Sequence, residues 1–203
     1  MPTKVKRVLV ITLAIISCAC LSSVKAAQDN QCAPNSNDPN VLDCAKNFLT
    51  DYETLNSDGS VNIIIEISAG TLEKWEVMPD GVLKRDIKDA KPRSIKYLGY
   101  PGNYGMIPKT LGGDNDPLDA IIIGAPPLAR GSVASAKIIG VFKLVDDGET
   151  DDKLIAVLPE TDLYKVDSIK ELDKKFPGIT KILKTWFTNY KGRGEITSKG
   201  YGS

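Results

Sequence analysis

Residues 61–67 read Val-Asn-Ile-Ile-Ile-Glu-Ile, an apolar and β-branched run that carries one acidic side chain, Glu66. A run of this length and composition predicts a buried β-strand. Ala69-Gly70 supplies a turn, and the alternating segment at 72–77 supplies a second strand. Together these features predict a β-hairpin over 61–77 and a fold built largely from sheet.

Further strand signals follow at short intervals and are separated by Asp/Gly turns. They lie around Leu83 and at 121–123, 137–145 and 153–158. This spacing is typical of a small barrel or sandwich. Helix is expected mainly near the end, where Pro177 can begin a helix and Gly192 can end it. The apolar stripe expected on that helix consists of Ile179, Ile182, Leu183, Trp186 and Tyr190.

The first 26 residues have the pattern of an export signal. Basic residues precede an apolar run at 8–16, and small residues lead to Ala26, which predicts cleavage before Ala27. The apolar run is too short to span a bilayer. A bacterial lipobox ending at Cys18 is the competing interpretation, and an acylated Cys18 would tie the protein to a membrane. We therefore expect a periplasmic or secreted domain at 27–203 or, in the alternative, a lipid-anchored envelope protein.

Residues 27–45 form an N-terminal extension, and its part at 27–40 is rich in Asn, Asp and Pro, which predicts an ordered loop or a tether. Cleavage before Ala27 would leave Cys32 and Cys44 as the only cysteines. In an oxidising compartment we expect a disulfide bond, and closing so short a loop would stabilise the domain by about 3 kcal/mol. Two unpaired thiols are the alternative.

The composition excludes several classes of function. The chain has no histidine, which removes Ser/His/Asp and Cys/His nucleophiles and histidine acid/base chemistry. Without the four basic residues of the leader, 22 Lys and Arg face 26 Asp and Glu, a net charge of −4. A mildly acidic domain does not favour nucleic acid as a partner. The remaining length suits one globular domain with its own core.

The segment 113–119 reads Gly-Asp-Asn-Asp-Pro-Leu-Asp and places three carboxylates around a proline that cannot sit inside a helix. Carboxylates this close raise each other's pKa values unless a cation offsets their charge. Oxygen ligands without histidine favour Mg²⁺, Mn²⁺ or Ca²⁺ over zinc or copper. The string therefore predicts a site for a hard metal ion.

Other motifs flank this acidic string on both sides. In chain order they are Glu66, Lys74-Trp75-Glu76, Tyr100-Pro-Gly-Asn-Tyr104, the acidic segment 146–153 and Tyr190-Lys191. With the string, they resemble the soluble family I inorganic pyrophosphatases of the bacterial type along most of the mature chain. The resemblance implies an α+β, mainly β fold, namely a compact five-stranded OB-like barrel with a few packed helices. It also implies hydrolysis of inorganic pyrophosphate to two phosphates by metal-activated water.

The resemblance further implies Mg²⁺ as cofactor, with several ions per active site, and a role for each motif residue. The implied metal ligands are Glu66, Asp114, Asp119, Asp146 and Asp151. The implied catalytic residues are Asp116, as general base, and Tyr100, which would tune that base by hydrogen bonding. The implied substrate-binding residues are Lys74, Arg93, Tyr104, Lys153, Tyr190 and Lys191. Arg85 competes with Arg93 for its role, because the spacing of this arginine varies in the family.

Two other functions compete with hydrolysis. Asp114 and Asp116 resemble the start of an EF-hand loop and would suit a noncatalytic calcium module, although the glycine at the sixth place and the acid at the twelfth are missing. An OB-type binder of oligonucleotides or oligosaccharides would need a basic groove with stacking aromatics. The bacterial resemblance also predicts a homo-oligomer, although residues 199–203 lie about where many family members continue into a long helix.

Overall fold

The computed structural model of this chain describes residues 27–28 and 32–203, so the predicted leader at 1–26, with its lipobox at Cys18, lies outside the described residues. The described part contains fourteen strands, most of them short, and two α-helices. The strands are β1 Ala27–Gln28, β2 Cys32–Pro34, β3 Leu42–Cys44, β4 Val61–Ile67, β5 Trp75–Val77, β6 Leu83–Arg85, β7 Ile87–Lys88, β8 Lys91–Pro92, β9 Asn103–Met106, β10 Asp119–Ile122, β11 Val133–Asp146, β12 Glu149–Thr150, β13 Lys153–Val157 and β14 Ile196–Gly202. The helices are α1 Ile169–Lys175 and α2 Ile179–Phe187, and a 3-10 turn at Asp162–Lys165 precedes them.

Five of these strands close a ring. β4 pairs with β9, β9 with β10, β10 with β13 and β13 with β11, and β11 pairs back with β4. Within the ring, the β10–β13 pairing is parallel and the other four are antiparallel. The predicted five-stranded OB-like barrel with a few packed helices is confirmed.

The ring is packed on both of its faces, which explains why 61–67 is apolar without strict alternation. Neighbouring side chains of β10 belong to different clusters. Ile121 packs in a cluster with Phe142 and Trp186, whereas Ala120 packs in a second cluster with Ile63. This division follows the two-residue period of a strand. One cluster joins the ring to the C-terminal helices, and the other consists mainly of Ala and Ile side chains.

The predicted hairpin over 61–77 is wrong, although both of its strands exist. β4 already pairs with β9 and β11, so neither of its edges is left for β5. β5 pairs instead with β6, with Trp75 opposite Arg85. The loop between β4 and β5 hydrogen-bonds elsewhere: Gly70 N donates to the Tyr100 carbonyl at 2.9 Å. The other predicted strands are present, and β11 begins at Val133, four residues earlier than predicted.

The predicted C-terminal helix is present but shorter and rotated. The N-cap of α2 is Gly178, which has a φ of 99°. The helix ends at Phe187, five residues before Gly192. Leu183 is buried as predicted, but Ile182 is 61% exposed and Phe187 is buried instead. β14 follows and pairs with β11, so the chain ends in strand. None of the helices in the described residues is both long enough and apolar enough to cross a membrane.

The N-terminal extension docks on the domain, so the prediction of a tether is wrong, whereas residues 35–41 form an ordered loop between two short strands. β2 and β3 form a hairpin that places Cys32 opposite Cys44, and the predicted disulfide bond joins them. The hairpin packs against the β5–β6 pair, where the Asn40 carbonyl accepts a hydrogen bond from Arg85 N at 2.7 Å. Its apolar side chains join a cluster around Trp75. The extension therefore supports the strand pair that follows β4.

Candidate active site

A cavity of about 480 Å³ opens at one edge of the ring. β10 begins there with Asp119, β13 begins with Lys153, and β11 ends there with Asp146. Because β10 and β13 run parallel with Asp119 opposite Lys153, their first residues meet at the same edge. The predicted site residues that line the cavity are Glu66, Lys74, Tyr100, Tyr104, Asp114, Asp116, Asp119, Asp146, Asp151, Lys153, Tyr190 and Lys191.

The acidic string forms a tight loop at this cavity. The Asp116 carbonyl accepts a hydrogen bond from Gly112 N at 2.6 Å, and the Asp114 carboxylate accepts one from Asp116 N at 3.1 Å. Asn115 at the tip has a φ of 68°, a conformation that Asn tolerates better than most residues. The loop therefore brings Asp114, Asp116 and Asp119 to the cavity from one short stretch of chain.

The cavity carboxylates lie where water cannot fully screen them. Partial burial, followed by the charges of Asp114 and Asp119, raises the pKa of Asp116. Burial, with Asp119 as the next cause, raises the pKa of Glu66 well above its ordinary value. Glu66 is held in place because its Oε1 accepts a hydrogen bond from Val77 N at 2.7 Å. Raised pKa values of this origin mark a region where an added cation would be stabilised.

Two lysines lie among these carboxylates. Lys153 is only 4% exposed, and its ammonium donates to Asp119 at 2.5 Å and also to Asp151. Burial opposes the charge of Lys153, but the two carboxylates outweigh that cost and raise its pKa. Lys191 pairs with Asp146, whose other oxygen, Oδ1, is buried without a hydrogen-bond partner. The lysines thus neutralise part of the negative charge and leave one buried carboxylate oxygen unpaired.

Three tyrosines complete the cavity, and an aromatic cluster positions them. The rings of Trp186 and Tyr190 stack at 4.6 Å, while Tyr100 lies 4.7 Å from Trp186 and 5.4 Å from Tyr104. Burial raises the pKa of all three phenols, so their hydroxyls remain hydrogen-bond donors at neutral pH. After burial, the charge of Asp119 is the next cause of the raised pKa of Tyr104. Trp186 on α2 therefore supports this side of the cavity, because its ring contacts both Tyr100 and Tyr190.

Arg93 is the predicted site residue that does not line the cavity. Its guanidinium donates to Asp86 at 2.9 Å, and Asp86 lies 3.4 Å from Nζ of Lys74, which does line the cavity. Arg85, the competing candidate, pairs with Glu73 at 3.0 Å. Arg93 is therefore linked to the cavity through one intervening carboxylate, and Arg85 points to a different acid.

Three acidic residues line the cavity without a predicted role, namely Glu76, Asp147 and Glu149. Glu76 pairs with Lys74. The sequence could have indicated a role for Glu76, because this residue completes the Lys-x-Glu element at 74–76. Asp147 lies in the turn between β11 and β12, and Glu149 is the first residue of β12. Acidic residues are common in such turns, so the sequence alone did not distinguish these two from ordinary turn residues.

The donor atoms of the cavity fit a hard divalent cation. The lining supplies carboxylate oxygens and contains neither histidine nor cysteine, a set that suits Mg²⁺ better than zinc. The unpaired Oδ1 of Asp146 is a buried oxygen that a cation would satisfy. Across residues 27–28 and 32–203, no three acidic or thiol side chains converge closely enough to hold an ion as they stand. A cation at Asp119 and Asp151 would compete with Lys153 for them.

A closed five-stranded sheet with a cavity at its edge defines an OB-like barrel, and the lining of that cavity combines carboxylates with lysines. A sequence model of the inorganic pyrophosphatase family matches residues 63–199. This chain belongs to that family. The match contains every predicted site residue and leaves the disulfide-closed extension outside it.

Individual relatives agree with this assignment. The chain is 35% identical over 156 residues to the mitochondrial inorganic pyrophosphatase of Saccharomyces cerevisiae, which covers 65% of this chain and 50% of that protein. It is 38% identical over 151 residues to soluble inorganic pyrophosphatase 1, chloroplastic, of Chlamydomonas reinhardtii, with coverages of 66% and 53%. The chain thus spans about half the length of these curated relatives.

Solved structures of the same family share the fold. The type I inorganic pyrophosphatase of P falciparum matches with a TM-score of 0.75 at 29% identity and covers 86% of this chain and 66% of that one. The inorganic pyrophosphatase of Helicobacter pylori matches with a TM-score of 0.65 at 30% identity, with coverages of 75% and 89%.

Proposed function

We propose that this chain hydrolyses inorganic pyrophosphate to two phosphates in a Mg²⁺-dependent reaction. The observation that carries the proposal is the convergence of twelve predicted side chains, from separate parts of the chain, on one cavity in a member of this family. Phosphoryl transfer to water depends mainly on positioning and on neutralising charge. The cavity supplies carboxylates for cations and ammonium and phenol groups for phosphate oxygens.

The carboxylates would hold the metal ions. We assign Asp114, Asp119 and Asp151 to a first ion, Asp119 also to a second, and Asp146 with Asp151 to an ion carried by the substrate. Glu66 would hold a further ion or its waters. Mg²⁺ bound there would neutralise phosphate charge and lower the pKa of the attacking water.

Asp116 is assigned as the proton acceptor. Its carboxylate lines the cavity on the acidic loop, and burial with the neighbouring charges raises its pKa, which makes it a better base than an ordinary aspartate. Tyr100 lines the same cavity with a neutral hydroxyl, which suits the proposed hydrogen bond to this base.

The cationic and phenolic side chains would bind the two phosphates. Lys153 and Lys191 each contact a carboxylate now, and a phosphate oxygen is a competing anionic partner for the same ammonium. Tyr104 and Tyr190 would donate hydrogen bonds from neutral phenols. Lys74, next to the first residue of β5, would bind a phosphate oxygen, and Arg93 would assist it through Asp86.

Phosphate release from pyrophosphate by the purified protein tests this function. We expect rapid release with Mg²⁺, none with excess EDTA, inhibition by Ca²⁺, and no activity on p-nitrophenyl phosphate. A folded, Mg²⁺-loaded protein that releases no phosphate would overturn the proposal. Stabilisation by Ca²⁺ without turnover would indicate a calcium-binding module instead.

We further propose that the protein is an exported pyrophosphatase of the bacterial type. The signal pattern at 1–26 and the Cys32–Cys44 disulfide, which suits an oxidising compartment, support this. Such a protein would recover phosphate from pyrophosphate outside the cytoplasm. Mass spectrometry of the native protein should find a chain beginning at Ala27, or an acylated Cys18 if it is lipid-anchored. An uncleaved chain in the cytosol would overturn the proposal.

We also propose that the protein is a homo-oligomer, as its bacterial resemblance implies. Sedimentation at micromolar concentration should give a species larger than one chain, and a monomer alone would remove this part of the proposal.

A further inference from the structure

Arg130 joins two strands that carry residues of the candidate site, although it does not line the cavity itself. Its Nε donates to the Glu66 carbonyl at 3.1 Å, and its Nη2 donates to Glu73 at 3.1 Å. The guanidinium also lies over the ring of Trp75, 4.4 Å from its centroid. One side chain thus contacts the end of β4, the residue before Lys74 and the first residue of β5.

The strands that Arg130 joins do not pair with each other. β4 pairs with β9 and β11, and β5 pairs with β6. The Val77 N to Glu66 Oε1 hydrogen bond is a direct link between them. The distance between Glu66 on β4 and Lys74 beside β5 therefore depends on a few side-chain contacts rather than on a ladder of backbone hydrogen bonds.

An arginine suits this position for a geometric reason. Its planar fork can donate to a carbonyl and to a carboxylate while its face stacks on an aromatic ring. The Arg130 side chain is 19% exposed, and its hydrogen bond to the Glu66 carbonyl is better shielded from water than its contact with Glu73, which is 48% exposed. Arg130 uses two different nitrogens to reach Glu66 and Glu73, and a lysine at this position would have only one nitrogen for both.

We propose that Arg130 is a positioning residue, which holds β5 against the end of β4 and thereby fixes Lys74 and Glu76 relative to Glu66. Without it, the wall that carries Lys74 would move independently of the acidic loop and the ring strands. Substrate binding would weaken more than the chemical step, because the proposed base and most of the assigned metal ligands lie on other elements. The effect on substrate rests on the proposed function, whereas the effect on the two strands does not.

The test uses Arg130→Met, which keeps much of the apolar stem and removes the guanidinium. Lys137→Met is the matched control. Lys137 donates to the Tyr164 carbonyl, pairs with the Asp167 carboxylate and lies over the Tyr164 ring. It does not line the cavity. Both variants lose one positive charge and one contact of each kind.

Hydrogen exchange measures the positioning independently of activity. The Val77 amide should exchange about tenfold faster in Arg130→Met than in wild type, because opening β5 from β4 exposes it to water. In an active enzyme, KM for pyrophosphate should rise about tenfold while kcat changes less than about threefold. Binding of imidodiphosphate, measured by calorimetry, should weaken in parallel with KM. Lys137→Met should match wild type in all three measurements.

Unchanged exchange at Val77 in Arg130→Met would overturn the proposal, even if stability falls. If the wild type proves inactive, the proposed function fails, and the exchange measurement alone still decides the role of Arg130. If Arg130→Met does not fold, Arg130→Lys replaces it. A smaller but measurable increase in exchange would then support the proposal, and exchange equal to that of wild type would overturn it.

Discussion

At the scale of single residues, the cavity holds charges that the fold has partly removed from water. Glu66 is the clearest case, because it is only 5% exposed and burial raises its pKa well above the ordinary value. Asp116 is more exposed, and desolvation followed by the charges of Asp114 and Asp119 raises its pKa. The same carboxylate is the proposed proton acceptor, so its loss should affect the reaction more than the fold.

Asp116→Asn keeps the size and hydrogen-bonding capacity of the side chain but removes the basic carboxylate. We expect the rate to fall by about 10² to 10⁴-fold, the usual contribution of a general base. Phosphate release measured at saturating Mg²⁺ is the appropriate assay. Asp162→Asn, at an exposed carboxylate outside the cavity, is the control, and near-normal turnover of the Asp116 variant would show that the base is misassigned.

Gly131→Ala should destabilise the protein through two separable effects. Gly131 has a φ of 79°, and an added Cβ would lie 2.5 Å from Cys32 Sγ in the disulfide. Left-handed backbone costs a non-glycine residue about 1–2 kcal/mol, and overpacking adds about 1–3 kcal/mol. Gly59→Ala is the matched control, because Gly59 has a φ of 83° and an added Cβ meets nothing within 4 Å. If urea unfolding shows the same loss in free energy of unfolding for Gly131→Ala and Gly59→Ala, the added Cβ at 131 causes no strain against the disulfide.

The sequence predicted which residues belong to the cavity better than it predicted their partners. Asp116 and Tyr100 lie in short strings with recognisable spacing, so their joint presence could be anticipated. The contact of Lys153 with Asp119 spans 34 residues and depends on the parallel pairing of β10 and β13. Local strings contain no information on such a pairing. Arg93 was assigned to the site from its spacing alone. The fold shows that Asp86 lies between Arg93 and Lys74, which the sequence could not indicate.

At the scale of elements, the sequence located strands and helices but misjudged how they face one another. Ile182 was expected on the buried stripe of α2 and is exposed, because it lies about 100° around the helix from Leu183. An apolar residue at helical spacing can lie at the margin of a stripe, and only the packing partner decides its burial. The predicted β4–β5 hairpin failed for a related reason: Ala69-Gly70 is a good turn, but strand pairing was decided by β9 and β11.

Alanine substitutions on α2 separate the buried face from the exposed one. Leu183→Ala should lower the free energy of unfolding by about 2–5 kcal/mol, as truncation of a buried leucine usually does. Ile182→Ala should change it by no more than about 0.5 kcal/mol, because the side chain is already in water. Urea unfolding of the two variants decides this, and a larger loss for Ile182→Ala would show that this face is covered in solution.

At the scale of the whole molecule, the extension and the ring form one body. The hairpin of β2 and β3 packs on the β5–β6 pair, and its disulfide lies against Gly131, two residues before β11. The export signal and the two cysteines left after cleavage predicted the bond correctly, but they could not show that the extension is docked rather than tethered. That docking depends on contacts with Trp75 and Arg85, which lie far along the chain.

Removing the disulfide should destabilise the whole domain rather than the hairpin alone. The Cys32→Ser/Cys44→Ser double variant should lose about 3 kcal/mol, the value expected for closing a loop of this length. Thermal unfolding with and without dithiothreitol is the measurement. Wild type should be sensitive to the reductant and the double variant should not, and an insensitive wild type would show that the bond contributes nothing to stability.

Closure of the ring has a consequence for when the protein becomes functional during its synthesis. The pairing of Ile64 with Val133 joins distant parts of the chain, and β13 is the last of the five ring strands to be made. Pairing of this kind typically takes milliseconds to seconds. Tyr190 and Lys191 emerge later still, so a polypeptide on the ribosome, or one passing through a translocation channel in an extended form, has no complete cavity. Catalytic competence would therefore arise only after release of nearly the entire chain, on the far side of any membrane that it crosses unfolded.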